Sequence, residues 1–135
     1  MEKNLSLQNV ISDVRDFHDS FKIPNADHPK SDLSEQDALL RHRLMSEEND
    51  EYLEAARAGD MVEIADALGD QLYILCGTIL RHGMQDVIED VFKEIQASNM
   101  SKLGADGKPI YREDGKVLKG PNYFRPNIKR AMENG

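Results

Sequence analysis

Apolar residues recur at helical spacing in four stretches of this chain. From about Leu5 to Lys22, the residues Leu7, Val10, Ile11, Val14, Phe17 and Phe21 fall at i, i+3, i+4 and i+7 intervals, the period of an amphipathic helix. Pro24, Asn25 and Pro29 then break the pattern and predict a loop through Asp32. Ser34-Glu35-Gln36-Asp37 reads as a capping box, with Ser34 accepting from an orphan N–H and Asp37 bonding back. The helix it opens should run to about Arg57 and end near Gly59. A third helix is expected from an N-cap at Asp60 to about His82, with Gly83 as its stop. Gly69 and Gly77 lie inside it, where each costs about 1 kcal/mol relative to alanine, so both predict close packing against another helix. A fourth helix, about Gln85 to Asn99, would bury Val87, Ile88, Val91, Phe92 and Ile95. Four helices with short links predict an all-α protein, a four-helix bundle.

The pattern changes after Lys102. Lys108-Pro-Ile-Tyr-Arg112 and Lys116-Val-Leu-Lys119 flank Glu113-Asp114-Gly115, and Asp-Gly between short alternating runs is a hairpin signal. A short C-terminal β-hairpin or ordered loop is therefore expected, residues 103–135 belonging to the same domain as a helical core at 1–102. No internal repeat or low-complexity segment stands out.

Polar residues interrupt the helical pattern in one conspicuous place. In the second helix Leu40 and Leu44 begin an apolar stripe whose next positions are Glu47, Glu48, Glu51 and Ala55. The third helix is apolar almost all round, yet Glu63, Asp66 and Asp70 share an arc of roughly 60° opposite Leu68, at about 100° per residue. Carboxylates on faces expected to be buried need compensation, because an unpaired buried charge is costly. With only Ala58, Gly59 and Asp60 between them, the two helices should pack as an antiparallel hairpin and bring the two acidic clusters together. A solvated acidic face is the ordinary explanation of a lone run of this kind. Two facing clusters, with Arg57 the one cation between Glu47 and Asp70, point instead to a divalent metal.

Composition narrows the classes. The 135 residues are 39% hydrophobic and 31% charged, with a formal net charge of -8, which argues against general nucleic-acid binding. The single cysteine, Cys76, lies in an apolar helix and reads as a buried structural thiol. No signal-like segment and no membrane-length apolar run is found, so no membrane partner and a cytoplasmic setting are expected.

All the candidate metal ligands, Glu48, Glu51, Glu63, Asp66 and Asp70, are carboxylates, without a Cys or His pair at ligand spacing. Hard oxygen donors favour Mg²⁺, with Mn²⁺ as a substitute, over zinc. Neither Asp106 nor Asp114 begins an EF-hand series. So many carboxylates suit two or more ions, shared with substrate phosphates. Glu47, rotated by about 100° from Glu48, is a candidate general base that orients a water; its alternative is a solvated side chain. Asn99 and Lys102, with Arg112 and Lys119 behind them, are candidate phosphate contacts in the main basic segment, although Lys102 could merely complement a helix C-terminus. Phe17, His18 and Phe21 form an aromatic patch that could hold a base, or could simply be core.

Glu47-Glu48-Asn-Asp-Glu51 followed by an acidic helix resembles the EExxE and ExxD signature of the all-α NTP pyrophosphohydrolases, which include MazG-like enzymes, dimeric dUTPases and phosphoribosyl-ATP pyrophosphohydrolases. "EIADALGDQLY", "SNMSKLGADGKPIYREDGKVLKGPNYF" and the early "VRDFHDSF" are similar to phrases of a compact, often phage-encoded group, so the resemblance spans nearly the whole chain. The second motif reads either as Glu63-Ile-Ala-Asp66 or as ending at Asp70, where Ala67 takes the place of the usual glutamate. The resemblance implies Mg²⁺-dependent cleavage of a nucleoside triphosphate between its α- and β-phosphates, by a homodimer or homotetramer. Purine deoxynucleotides, dGTP or dATP, are the leading expectation within that group. Phosphoribosyl-ATP hydrolysis, or a non-catalytic bundle that binds metal or nucleotide, are the alternatives.

Overall fold

The computed structural model describes residues 5–133, and every described element of regular structure is helical. Five helices follow one another: α1 (Leu7–Ser20), α2 (Glu35–Ala58), α3 (Met61–Arg81), α4 (Ile88–Met100) and α5 (Ile128–Glu133). They divide into two compact units, one ending at Gln85 and one beginning at Asp86.

The first unit holds α1, α2 and α3, and local chemistry sets its boundaries. Ser6 accepts from the Asn9 amide at the start of α1, Ser34 from the Asp37 amide at α2, and Asp60 from the Glu63 amide at α3. Gly59 closes α2 in the left-handed region, φ 65°, a conformation glycine reaches without steric cost. The turn is so short that α2 and α3 pack as an antiparallel hairpin, and α1 packs on α3. The loop between α1 and α2 is tied to the end of α3 by Ala26 N–H to Leu80 O (2.9 Å) and Lys30 N–H to His82 O (2.8 Å).

Ile11, Val14, Ala55, Ala67, Cys76 and Leu80 form the buried apolar core of this unit. Three polar side chains lie buried with them. Arg41 donates to Thr78 Oγ1 (3.1 Å) and Ile74 O (2.9 Å), Arg81 to Asp37 Oδ2 and Pro24 O (both 2.7 Å), and His18 Nδ1 meets Asn25 Oδ1 at 2.7 Å. Asp37 thus pairs with Arg81 rather than bonding back to its cap, since a buried guanidinium gains more from a carboxylate than an exposed amide does. Gly77 makes the arrangement possible: a Cβ there would lie 2.6 Å from the Arg41 guanidinium and 2.9 Å from His18 Nε2. Gly69, also expected at a close contact, has nothing within 4 Å of such a Cβ. It sits beside an uncovered apolar stripe of α3 that includes Met61, Leu68, Leu72 and Leu75.

In the second unit α4 packs on α5. Val87 and Val91 are buried as expected, but Phe92 and Ile95 are exposed because α5 covers only one side of α4. Ser98 donates to Phe124 O (2.8 Å) and Ser101 Oγ accepts from Phe124 N–H (3.2 Å), holding the returning chain against α4. The expected β-hairpin is reduced to one antiparallel bridge, Tyr111 with Val117, around the turn at Gly115. Pro109 and the early turns at Asp106-Gly107 and Gly120-Pro121 leave too few free amides to extend it into strands. No described helix is long and apolar enough to cross a membrane.

Candidate active site

The hairpin geometry brings the acidic residues of α2 and α3 together. One carboxylate oxygen from each of Glu48, Glu51 and Asp70 lies within 4.8 Å of the others. Glu48 and Glu51 are one turn apart on α2, and Asp70 faces them from α3. Gln71 donates to Asn49 Oδ1 across the same pair of helices at 3.1 Å. Glu51 also lines an open cleft of about 480 Å³ with Glu54, Asp60, Glu63 and Asp66, above the buried Ala55 and Ala67. The cluster and the cleft therefore share one ligand and form a continuous acidic surface.

Burial is less complete than the sequence pattern implies. Glu48 and Asp70 are half-buried, while Glu47, Glu51, Glu63 and Asp66 are exposed, because the first unit has no third layer over this face. Glu48 is nevertheless in an unusual position. Its Oε2 is shut off from solvent and has no hydrogen-bond partner. Desolvation, a hydrogen bond with Glu51, and the charges of Glu51, Asp70 and Asp66 all raise its pKa above the ordinary 4.5. Among the described residues no Lys, Arg or His lies within ion-pair distance of Glu48, Glu51, Glu63, Asp66 or Asp70. A buried acceptor without a donor, among carboxylates without a counter-ion, is the environment that a hard cation satisfies.

Of the two readings of the second motif, Asp70 is the residue placed directly against Glu48 and Glu51. Asp66 acts on Glu48 through its charge, and Glu63 lies farther along the cleft wall. Glu47 is exposed on the neighbouring side of α2, 3.9 Å from Arg43. Phe17 and Phe21 are exposed and stack at 4.5 Å, whereas His18 turns inward. Burial, together with the Arg41 and Arg81 charges, lowers the His18 pKa against the raising effect of Asn25 and Asp19. In the second unit Asn99 is exposed and Lys102 half-buried just beyond the end of α4. Arg112 is engaged by Asp114, and the Lys119 ammonium sits 4.8 Å over the Tyr123 ring. Sequence reasoning missed Arg41, although it lies two turns before Glu48 on one helix line, and it missed Tyr73, one turn beyond Asp70.

Residues 14–99 match the family model described as phosphoribosyl-ATP pyrophosphohydrolase, a span that takes in every carboxylate of the cluster. The chain belongs to this family. It is a pyrophosphohydrolase, a hydrolase acting on phosphoric anhydrides, and the non-catalytic alternative is set aside. The pyrophosphohydrolase is also similar to a crystal structure of a provisionally assigned NTP pyrophosphohydrolase from Exiguobacterium sp. 255-15. The two share 28% identity over 93% of this chain and 92% of that one, with a TM-score of 0.46. A search of curated proteins finds no match.

Proposed function

We propose that this pyrophosphohydrolase is Mg²⁺-dependent and cleaves nucleoside triphosphates between the α- and β-phosphates, releasing a nucleoside monophosphate and pyrophosphate. The observation that carries the reading is the sealed, unpartnered Oε2 of Glu48 within a carboxylate cluster that lacks a cationic partner. Glu48, Glu51 and Asp70 would hold the first ion, and Asp66 and Glu63 a second. Bound ions supply neutralisation of the polyphosphate and a water of lowered pKa.

The chain's own residues do the rest. Glu47, exposed beside the cluster, accepts a proton from the attacking water. The water oxygen forms a bond to phosphorus, the bridging P–O bond breaks, and its electron pair leaves on the departing phosphate oxygen. Arg43, 3.9 Å away on the same helix, can orient the Glu47 carboxylate. Asn99 and Lys102 remain the leading candidates for phosphate contact, while Arg112 and Lys119 are engaged by Asp114 and the Tyr123 ring. Phe17 and Phe21 offer exposed faces to a base, whereas the buried His18 is engaged by Asn25. Purine deoxynucleoside triphosphates are the leading substrates, on the strength of group likeness in the sequence.

The uncovered stripe of Met61, Leu68, Leu72 and Leu75 lies on the side of α3 opposite the carboxylates, so a second copy could cover it without blocking the site. This supports a homodimer or homotetramer. The matched family description favours a second reading of the substrate, phosphoribosyl-ATP. One experiment separates the two: Mg²⁺-dependent hydrolysis of all ribo- and deoxyribonucleoside triphosphates and of phosphoribosyl-ATP, with pyrophosphate resolved from orthophosphate. Pyrophosphate from purine deoxynucleoside triphosphates is the expected result. Turnover of phosphoribosyl-ATP alone would establish the second reading, and orthophosphate as the sole product would overturn both.

A further inference from the structure

The site-facing line of α3 does not end at its last carboxylate. Tyr73 lies three residues beyond Asp70 and seven beyond Asp66, which places it on the same side of the helix, one turn farther from the hairpin loop. There its ring meets Phe17 of α1 nearly at right angles, 85° and 5.6 Å between centroids, while Phe17 lies 4.5 Å from Phe21. The three rings remain 39%, 40% and 66% exposed for Tyr73, Phe17 and Phe21, so their surfaces are open to a ligand. His18 behaves differently: it is 3% exposed and bound to Asn25. In an edge-to-face pair the ring offering its edge keeps its own faces available to a further aromatic group.

We infer that Tyr73 is a specificity-determining residue of this site, and that with Phe17 and Phe21 it forms a platform on which the nucleobase of the substrate stacks, an inference that rests on the nucleotide reading proposed above. The occupant is identified by the position of the rings. A ligand whose phosphates lie on the Glu48, Glu51 and Asp70 cluster carries its planar ring about one helical turn away, where Tyr73 begins the aromatic surface. The platform reads faces more than edges, because the Tyr73 hydroxyl is its one hydrogen-bonding group. It therefore favours purines over pyrimidines through stacking area and discriminates weakly between adenine and guanine.

The test compares Tyr73→Leu, Tyr73→Phe and Phe21→Ser with the unmodified enzyme on its accepted triphosphate, using inorganic tripolyphosphate as a competitive inhibitor that has no base. Stacking on an aromatic side chain predicts a rise in KM of about tenfold for Tyr73→Leu. The same rise is expected for Phe21→Ser, an exposed position where folding is not at issue. Inhibition by tripolyphosphate and kcat should hold, and Tyr73→Phe should recover most of the affinity. An unchanged KM in both Tyr73→Leu and Phe21→Ser, or a parallel loss of tripolyphosphate inhibition, would overturn the platform while leaving the pyrophosphohydrolase reading intact. Absence of turnover of any nucleotide by the unmodified enzyme would instead remove the nucleotide reading, and the platform with it.

Discussion

Replacing Glu48 with glutamine should stabilise the metal-free protein and abolish its response to Mg²⁺. The Glu48, Glu51 and Asp70 oxygens lie within 4.8 Å of one another. At that separation two unit charges repel by about 0.9 kcal/mol at the dielectric constant of water and about 3.5 kcal/mol at an effective value of 20. Glu51 is exposed and the others half-buried, so solvent screening keeps each pair near the lower figure. Removing the Glu48 charge relieves two such pairs, about 1–2 kcal/mol, and the new amide can donate to Glu51. For a chain of this size that is a rise in Tm of about 4 °C per kcal/mol. The unmodified protein should gain about 2.7 kcal/mol when Mg²⁺ is present at a hundred times its Kd, and the variant should not.

The assay is thermal unfolding with chelator and across a Mg²⁺ titration, paired with pyrophosphate release. The pH dependence adds an internal check. Because its pKa is raised, Glu48 holds a proton more tightly in the folded state than in the unfolded one. That stabilisation is complete below the ordinary carboxylate value of 4.5 and is lost as pH rises through the raised folded value. Glu48→Gln should remove this contribution. A variant that is less stable without metal, yet keeps the full Mg²⁺ response, would refute the assignment of Glu48 as a ligand.

Gly77→Ala should cost about 1–3 kcal/mol in a chemical denaturation, since its methyl group would collide with the Arg41 guanidinium and His18. Gly69→Ala meets nothing and should gain about 1 kcal/mol; a loss that grows with protein concentration would place a second copy against that position. His18 carries a lowered pKa, so the unfolded state takes its proton first. Stability should then fall as pH drops below 6.5 and continue to fall to the folded value, a slope that His18→Gln should flatten. Asp37→Ala leaves the buried Arg81 without its carboxylate and should cost about 3 kcal/mol, whereas Asp32→Ala, an exposed partner of Lys30, should be nearly silent by the same measurement.

Much of the first unit was legible because its signals are local. The caps Ser34 and Asp60, the glycine at 59 and the helical periodicity act within a turn or two of chain, and α1, α2 and α3 begin and end within a few residues of the expected positions. The start of α4 was less legible: Gln85, expected in the helix, is held outside it, its side chain donating to Ala26 O and its carbonyl accepting from Gln8. Six residues are too few to show a period, so α5 escaped notice, although Asn127 accepts from the Arg130 amide in the manner of an N-cap.

The acidic cluster shows where the division lies. Spacing along α2 and α3, with a three-residue turn between them, was enough to predict that the two acidic clusters face each other, but helical geometry left open whether Glu63 with Asp66 or Asp66 with Asp70 stands against Glu48 and Glu51. Spacing could not say which face of α3 would be covered. The pattern suggested burial nearly all round, yet the Met61 to Leu75 stripe is bare and the carboxylates are partly wet. It could not show that His18 turns inward while Tyr73 joins Phe17, or that Arg81 would claim Asp37 from its cap. Periodicity and capping belong to the chain and determined the helices and the meeting of the carboxylates; side-chain partners and solvent exposure depend on residues tens of positions apart, so only the tertiary structure decided them.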